Sequence, residues 1–349
     1  MKYSSYFRSV DIISASCNLN EYSENICIQV YNTTNKEMLN KFRQGISSDS
    51  FVISCFSGFI EREEISILSR LPSDMILFNC HIDYLRYLEL GKEIRFPTDN
   101  GYCFGYSQLI GVKNIPIEQQ RDIIFFEQVI IPATFSERSY LLRKLVDLAN
   151  SFPDKKFWIK PRCKPGGRTI HKQKWHLERL RKLLRIRLPD NLSFTYEPVE
   201  QLLSRTALCL TISSTVAIEA LARGIPTVII SDFGVRRDIH TASFVGSGCL
   251  ATIDQVIAGY QPKPNQEWLD DYVKIPDVDA FKIRLNDLIS QKRAGLLPQR
   301  EYPDGAFSLA PDLKPLVLKR IHKLFIDPRG FCCDSRFYFL NKIGSLLFK

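Results

Sequence analysis

Three hydroxyl side chains, Ser213-Ser214-Thr215, follow the apolar run Leu208–Ile212. The pattern predicts a strand, then a helix over Ser214–Arg223 closed by Gly224. The free N–H groups of a helix start, the helix dipole and the three hydroxyls together suit a phosphate. Glu219 lies four residues after Thr215, where its carboxylate can accept from a ribose hydroxyl. A second group of charges sits at Lys160, Arg162, Lys164 and Arg168, around Pro165-Gly166-Gly167. Guanidinium and ammonium groups pair with phosphate or carboxylate, and the glycines allow close backbone approach. The two groups together point to an anionic ligand. Gln128 ends the strand Asp122–Phe126 and is a further donor-side candidate.

Transfer of a group from a phosphate leaving group also needs a base for the acceptor proton when configuration inverts. Glu61 and Glu63 follow the strand end at Ser57-Gly58, and His81 and Asp83 follow the strand Asp74–Asn79. These four are the catalytic candidates, with Asp83 also suited to a helix N-terminus. Asp277-Val278-Asp279 has the form of a metal-binding DxD, but its late, Pro-flanked position argues against that role. GxxxxGK[ST] and GxGxxG are both absent, which removes most ATPase and dehydrogenase readings. No cofactor and no metal are called for.

The elements that must carry these residues alternate between apolar runs and helical patterns. Strands are read at Asn25–Val30, Phe51–Phe56, Asp74–Asn79 and around Tyr102–Leu109, with helices at Lys36–Arg43, Glu61–Arg70 and Ile82–Leu90. Asn114–Arg121 reads as a linker. A second series follows, with strands at Asp122–Phe126, Phe157–Ile159, Leu192–Tyr196, Leu208–Ile212 and Thr227–Ile230, and a long helix over Ser136–Ser151 capped by Ser136. Strands alternating with helices imply parallel sheets. The fold class is therefore α/β, with two Rossmann-like domains expected to face each other across a cleft. The domains are drawn at 1–115 and 122–300, with a helical tail over 301–349.

The chain has 349 residues, 45% hydrophobic and 24% charged, ordinary values for a globular protein. Its net charge is +9, yet residues 155–187 alone hold 13 Lys/Arg against one acid. Leu177, Leu180, Leu183, Leu184 and Ile186 place part of that charge on an amphipathic helix. A nucleic-acid partner would want aromatics interleaved with the charges, and Phe157, Trp158 and Trp175 are too few. The ten cysteines form no CxxC pair and read as small buried hydrophobes. The charge-free run Ile239–Ile253 is too short and polar to span a bilayer. A cytoplasmic location is expected, with a peripheral contact at the inner face of an anionic membrane.

The segment Leu208–Ile230 resembles the donor-nucleotide segment of GT-B glycosyltransferases. The wider chain resembles a family of uncharacterised bacterial GT-B transferases. The likeness is carried by FSGF (56–59), SDMILFNCHIDYLRYLEL (73–90), FFEQ (125–128), SERSYLLRKLVDLA (136–149), WIKPRCKPGG (158–167), LPDNLSFTYEPV (188–199), TISSTVAIEALARGIPTVIISDFGVR (211–236) and FVGSGCL (244–250). It implies metal-independent transfer of a sugar from a nucleotide donor to a surface glycan or glycolipid acceptor. The serine-rich helix start is also similar to that of bacterial sialyltransferases and capsule or lipooligosaccharide enzymes, which implies a CMP-linked, sialic-acid-like donor. Those enzymes pair it with Lys-Pro-His-Pro, whereas this chain has Lys160-Pro161-Arg162-Cys163-Lys164-Pro165. The histidine is missing, and Arg162 or Lys164 stands in its place. The alternative is a catalytically inactive partner protein on the same fold.

Overall fold

The computed structural model describes residues 28–31, 50–60, 64–116, 121–129, 131–167 and 174–301. The expected helix Lys36–Arg43 and the tail from 302 onward lie outside the described residues. The chain divides into two compact units.

Unit 1 is built on a parallel four-stranded sheet in the order β1-β2-β3-β4. The strands are β1 (Ile28–Tyr31), β2 (Phe51–Ser54), β3 (Met75–Phe78) and β4 (Gly101–Cys103). Helices α1 (Glu64–Leu68) and α2 (His81–Glu93) follow β2 and β3. Alternate residues serve the two faces of this sheet. Ile76 and Phe78 pack with Tyr87 and Leu90 of α2. Phe51, Ile53 and Met75 pack with Leu288 of a much later helix, α9 (Val278–Arg293). Lys292 at the end of α9 reaches Asp74 at 3.1 Å. The chain therefore returns to unit 1 after Pro276, whereas the sequence reading carried the second domain to 300. Helix α9 was not read from the sequence; Asp277 caps it by accepting from Ala280 N–H. Nothing in its residue pattern names the sheet it covers.

Unit 2 is built on a six-stranded parallel sheet in the order β10-β9-β8-β5-β6-β7. Its strands are β5 (Asp122–Phe126), β6 (Lys156–Lys160), β7 (Leu192–Phe194), β8 (Thr206–Thr211), β9 (Thr227–Ile230) and β10 (Leu250–Ala251). Helices α3 (Phe135–Ser151), α4 (Leu177–Leu183), α5 (Val199–Leu203), α6 (Val216–Leu221), α7 (Ile253–Ile257) and α8 (Gln266–Tyr272) complete it. Central β5 is buried throughout, as its unbroken apolar run demands. Ile123 and Phe125 face Leu141, Leu142 and Leu145 of α3. Ile124 and Phe126 face the other way, onto Val216 and Ala220 of α6. Each such buried side chain contributes about 1.5–3 kcal/mol. The cap of α3 is Thr134, in a capping box with Glu137, and not Ser136 as the sequence suggested. Thr134 has the extended backbone that a cap requires, one turn ahead of Glu137.

From β5, strand order runs outward through β6 and β7, then restarts on the other side of β5 with β8, β9 and β10. This is the doubly wound dinucleotide-binding order, and it reverses between β5 and β8. Ligands of such sheets bind outside the strand C-termini at that reversal, because the two connections leave in opposite directions and open a crevice.

Candidate functional site

The C-terminal ends of β8, β5 and β6 bring together most of the expected donor residues. Register pairs Phe126 with Thr211 on one side and with Lys160 on the other. Two strand spacings of about 4.8 Å separate Thr211 from Lys160, so the groups that follow can reach one ligand.

Gln128 and Ser213 join across the reversal point. The Gln128 carboxamide oxygen accepts from the Ser213 N–H at 2.9 Å and from its hydroxyl at 3.1 Å. A backbone N–H can only donate, so this contact fixes which way the carboxamide is turned. Ser213 therefore gives both its protons to Gln128, and the expectation of three hydroxyls facing a ligand is corrected at this position. Ser214 and Thr215 make no hydrogen bond with Gln128. The Ser214 hydroxyl accepts from Val216 N–H at only 3.4 Å, and Thr215 makes no side-chain cap bond. Helix α6 begins at Val216, and Gly224 closes its last turn with Ile225 N–H donating to Ala220.

Glu219 lies half-buried on α6. Burial pushes its carboxyl above the ordinary carboxylate range; Arg223 opposes this and Glu200 adds to it. Arg223 nonetheless donates to the Glu219 backbone carbonyl, leaving the carboxylate without a hydrogen-bond partner among the described residues. Lys160 is held below its ordinary value by burial first and by Arg162 second. Its ammonium donates to Pro161 O at 2.9 Å. Both Lys160 and Glu219 are half-buried, and burial is the first cause of the shift toward the neutral form in each.

Arg162 and Lys164 are exposed on the loop after β6. The Lys164 ammonium stands 6.0 Å from the Tyr196 ring. Lys164-Pro165-Gly166-Gly167 forms a tight turn, with Gly167 N–H donating to Lys164 O at 2.8 Å and Gly166 at φ +86. Proline before a positive-φ glycine is the type II pattern. Sequence reasoning missed the anchor of this loop, His176. It is buried, its Nδ1 accepts from Glu178 N–H, and its Nε2 donates to Cys163 O at 2.9 Å. The signal available was its place just before the amphipathic helix.

Of the expected catalytic residues, Glu61 and Glu63 lie outside the described residues. His81 is exposed at the start of α2. Asp83 is buried, with its carboxylate accepting from Ile60 N–H at 3.1 Å. It holds a loop, which takes the place of the expected proton transfer. A Cβ on Gly248 would sit 2.0 Å from Lys263 O, so this glycine serves close backbone packing. Asp279 pairs with Lys282, Asp277 caps α9, and no metal-binding group of three ligands occurs among the described residues.

A family described as "Putative glycosyltransferase (DUF6716)" matches residues 26–288. The chain belongs to that family. No curated protein matches this member of the DUF6716 family. Among solved structures it is similar to the S. aureus MnaA-UDP co-structure, at 11% identity and a TM-score of 0.47, covering 90% of this chain and 80% of that one. It is similar to the UDP-GlcNAc 2-epimerase from Neisseria meningitidis bound to UDP-GlcNAc, at 13% identity and a TM-score of 0.46, covering 75% and 76%. It is also similar to accessory secretory protein 1,2 and 3 in Streptococcus pneumoniae, at 14% identity and a TM-score of 0.44, covering 79% of this chain and 56% of that one. The chain thus spans a little over half the length of the last.

Proposed function

We propose that the chain transfers a sugar from a nucleotide donor to a glycan or glycolipid acceptor. The observation that carries this reading is the gathering of Ser214, Thr215, Glu219 and Lys160 around the strand-order reversal of unit 2. In this reading the donor phosphate lies against the N–H and hydroxyl groups of Ser214 and Thr215. Lys160 and Arg162 take up the charge that builds on the leaving phosphate, a task for which preorganised donors need no reorientation. An arriving anion also relieves the repulsion between these two cations. Glu219 accepts from a ribose hydroxyl. His81 is retained as the base for the acceptor proton. Because protein cations do the electrostatic work, transfer is expected to proceed unchanged in excess EDTA.

The exposed cations Arg179, Lys182, Arg185 and Arg187 suit an anionic membrane surface carrying the acceptor. No described helix is long and apolar enough to cross a membrane. A CMP-linked, sialic-acid-like donor is the finer version of the proposal, and the missing histidine beside Lys160 weighs against it.

A thermal-shift panel of CMP, UDP, GDP and CDP tests the reading. A ligand at a hundred times its Kd stabilises by about 2.7 kcal/mol, so one of the four should raise the melting temperature measurably. The shift should vanish in Ser214→Ala and Arg162→Ala. No shift with any nucleotide, or an equal shift in both variants, would contradict it. Binding without donor-dependent product would favour the inactive-partner alternative.

A further inference from the structure

Arg138 is 1% exposed, in the first turn of α3, and no part of the site described above. Burying a guanidinium is expensive unless every donor is matched. Here the matches are unusual in kind. One carboxylate, that of Glu127, pairs with Nη1. The remaining partners are main-chain carbonyls. Nη2 donates to Gln128 O at 2.8 Å and Val129 O at 2.7 Å, and Nε donates to Pro132 O at 2.7 Å. Nη1 also donates to Trp175 O at 2.9 Å.

These carbonyls belong to two different segments, and each segment leads to one half of the phosphate site. The first is the connection that leaves β5, and it carries Gln128, whose side chain grips Ser213. The second ends at Trp175, next to His176, which holds Cys163 O in the basic loop after β6. The two halves also touch directly, through Glu127 N–H donating to Lys160 O at 3.0 Å. We infer that Arg138 is a positioning residue that sets the hydroxyl half and the cationic half of the site against each other. The inference rests on the glycosyl-transfer reading for its ligand, but the linkage it describes is a property of the fold. The planar fork is what makes it possible, since a lysine ammonium cannot span four carbonyls on two segments.

The test uses the full chain, inorganic pyrophosphate as probe, and the variants Arg138→Lys, Gln128→Leu and the double variant. Hydrogen exchange is followed at peptides covering 160–165 and 211–217, without ligand. In Arg138→Lys, exchange in both peptides should rise about tenfold, the consequence of losing roughly one to two hydrogen bonds' worth of local stability. Gln128→Leu should raise exchange at 211–217 alone, and adding Arg138→Lys to it should raise that peptide no further. Pyrophosphate affinity should fall by a similar factor in Arg138→Lys and should not fall additively in the double variant. Faster exchange confined to 127–138 in Arg138→Lys would overturn the inference. Should Arg138→Lys fail to fold, unchanged exchange at 211–217 in Gln128→Leu would overturn it, because Arg138 would have no channel to Ser213. If wild-type protein binds no pyrophosphate, the donor-site reading falls, and the exchange arm alone still decides the linkage.

Discussion

At the scale of single residues, the site is defined by groups held away from their comfortable ionisation. Glu219 shows what this costs. Its carboxyl is pushed above the ordinary value of 4.5 by burial, so the folded chain binds that proton more tightly than the unfolded chain does. Below the unfolded value both states are protonated and nothing is lost. As pH rises above the unfolded value the fold is penalised, and the penalty is complete once the pH has passed the folded value. Glu219→Gln is therefore expected to melt higher than wild type at pH 7.5, to lose that advantage near pH 4, and to bind nucleotide about tenfold more weakly, the value of roughly one hydrogen bond. Calorimetry at the two pH values checks the first part and titration the second. A variant that melts no higher at pH 7.5 would mean that the carboxylate is not strained. The positions of Ser214, Thr215 and Lys160 at strand and helix ends were legible in the sequence, because apolar runs mark where those elements stop. Arg138 and His176 were not. Each acts through backbone carbonyls distant in the chain, and a carbonyl acceptor leaves no mark in a residue pattern.

At the scale of elements, the same device recurs in both units. A carboxamide at the end of one central strand holds the connection leaving its neighbour. In unit 2 this is Gln128 on Ser213. In unit 1 it is Asn79, which donates to Phe56 O at 2.9 Å and Gly58 O at 3.1 Å. Such bonds fix where a connection leaves the sheet. Helix α3 begins at the same edge, so its capping box contributes to placing Arg138. Thr134→Ala should cost about 1 kcal/mol in urea denaturation, with a secondary loss of nucleotide affinity. A loss well under half of that would mean the Glu137 contact alone holds the helix start. Most strands were readable from apolar runs to within about two residues, but β4 is far shorter than the stretch read at 102–109, β1 begins three residues later than read, and the two-residue β10 was not seen. The α3 cap was not legible, because Thr134 and Ser136 are equally good cap residues and only the backbone conformation separates them.

At the scale of the whole molecule, each unit is a parallel sheet covered on both faces, and unit 1 completes its second face with the distant helix α9. Phe281, Leu285 and Leu288 recur at helical spacing and meet Phe51, Ile53 and Met75. Leu288 is 4% exposed. Leu288→Ala should cost about 2–5 kcal/mol, read as earlier unfolding of unit 1, with pyrophosphate binding at unit 2 unchanged at temperatures where both units are folded. Two surface pockets of unit 2 lie at the opposite edge of its sheet from the proposed phosphate site. One, of about 710 Å³, is lined by Lys155, Lys156, Trp158, Asp190 and Asn191 among others. The other, of about 310 Å³, is lined by residues including Ile123, Leu208 and Pro226. Concavity and chemistry thus point to different ends of the same strands. The proposed site follows the chemistry, because the C-terminal edge has the strand-order reversal, Lys160 and the hydroxyl-bearing helix start.

The most direct measurement is a structure of the full chain solved with whichever nucleotide stabilises it best. The expected result is a phosphate within hydrogen-bond distance of the Ser214 and Thr215 N–H groups and of the Lys160 ammonium, with a ribose hydroxyl on Glu219. A phosphate bound instead among Lys155, Lys156 and Asn191, at the other edge of the sheet, would contradict it.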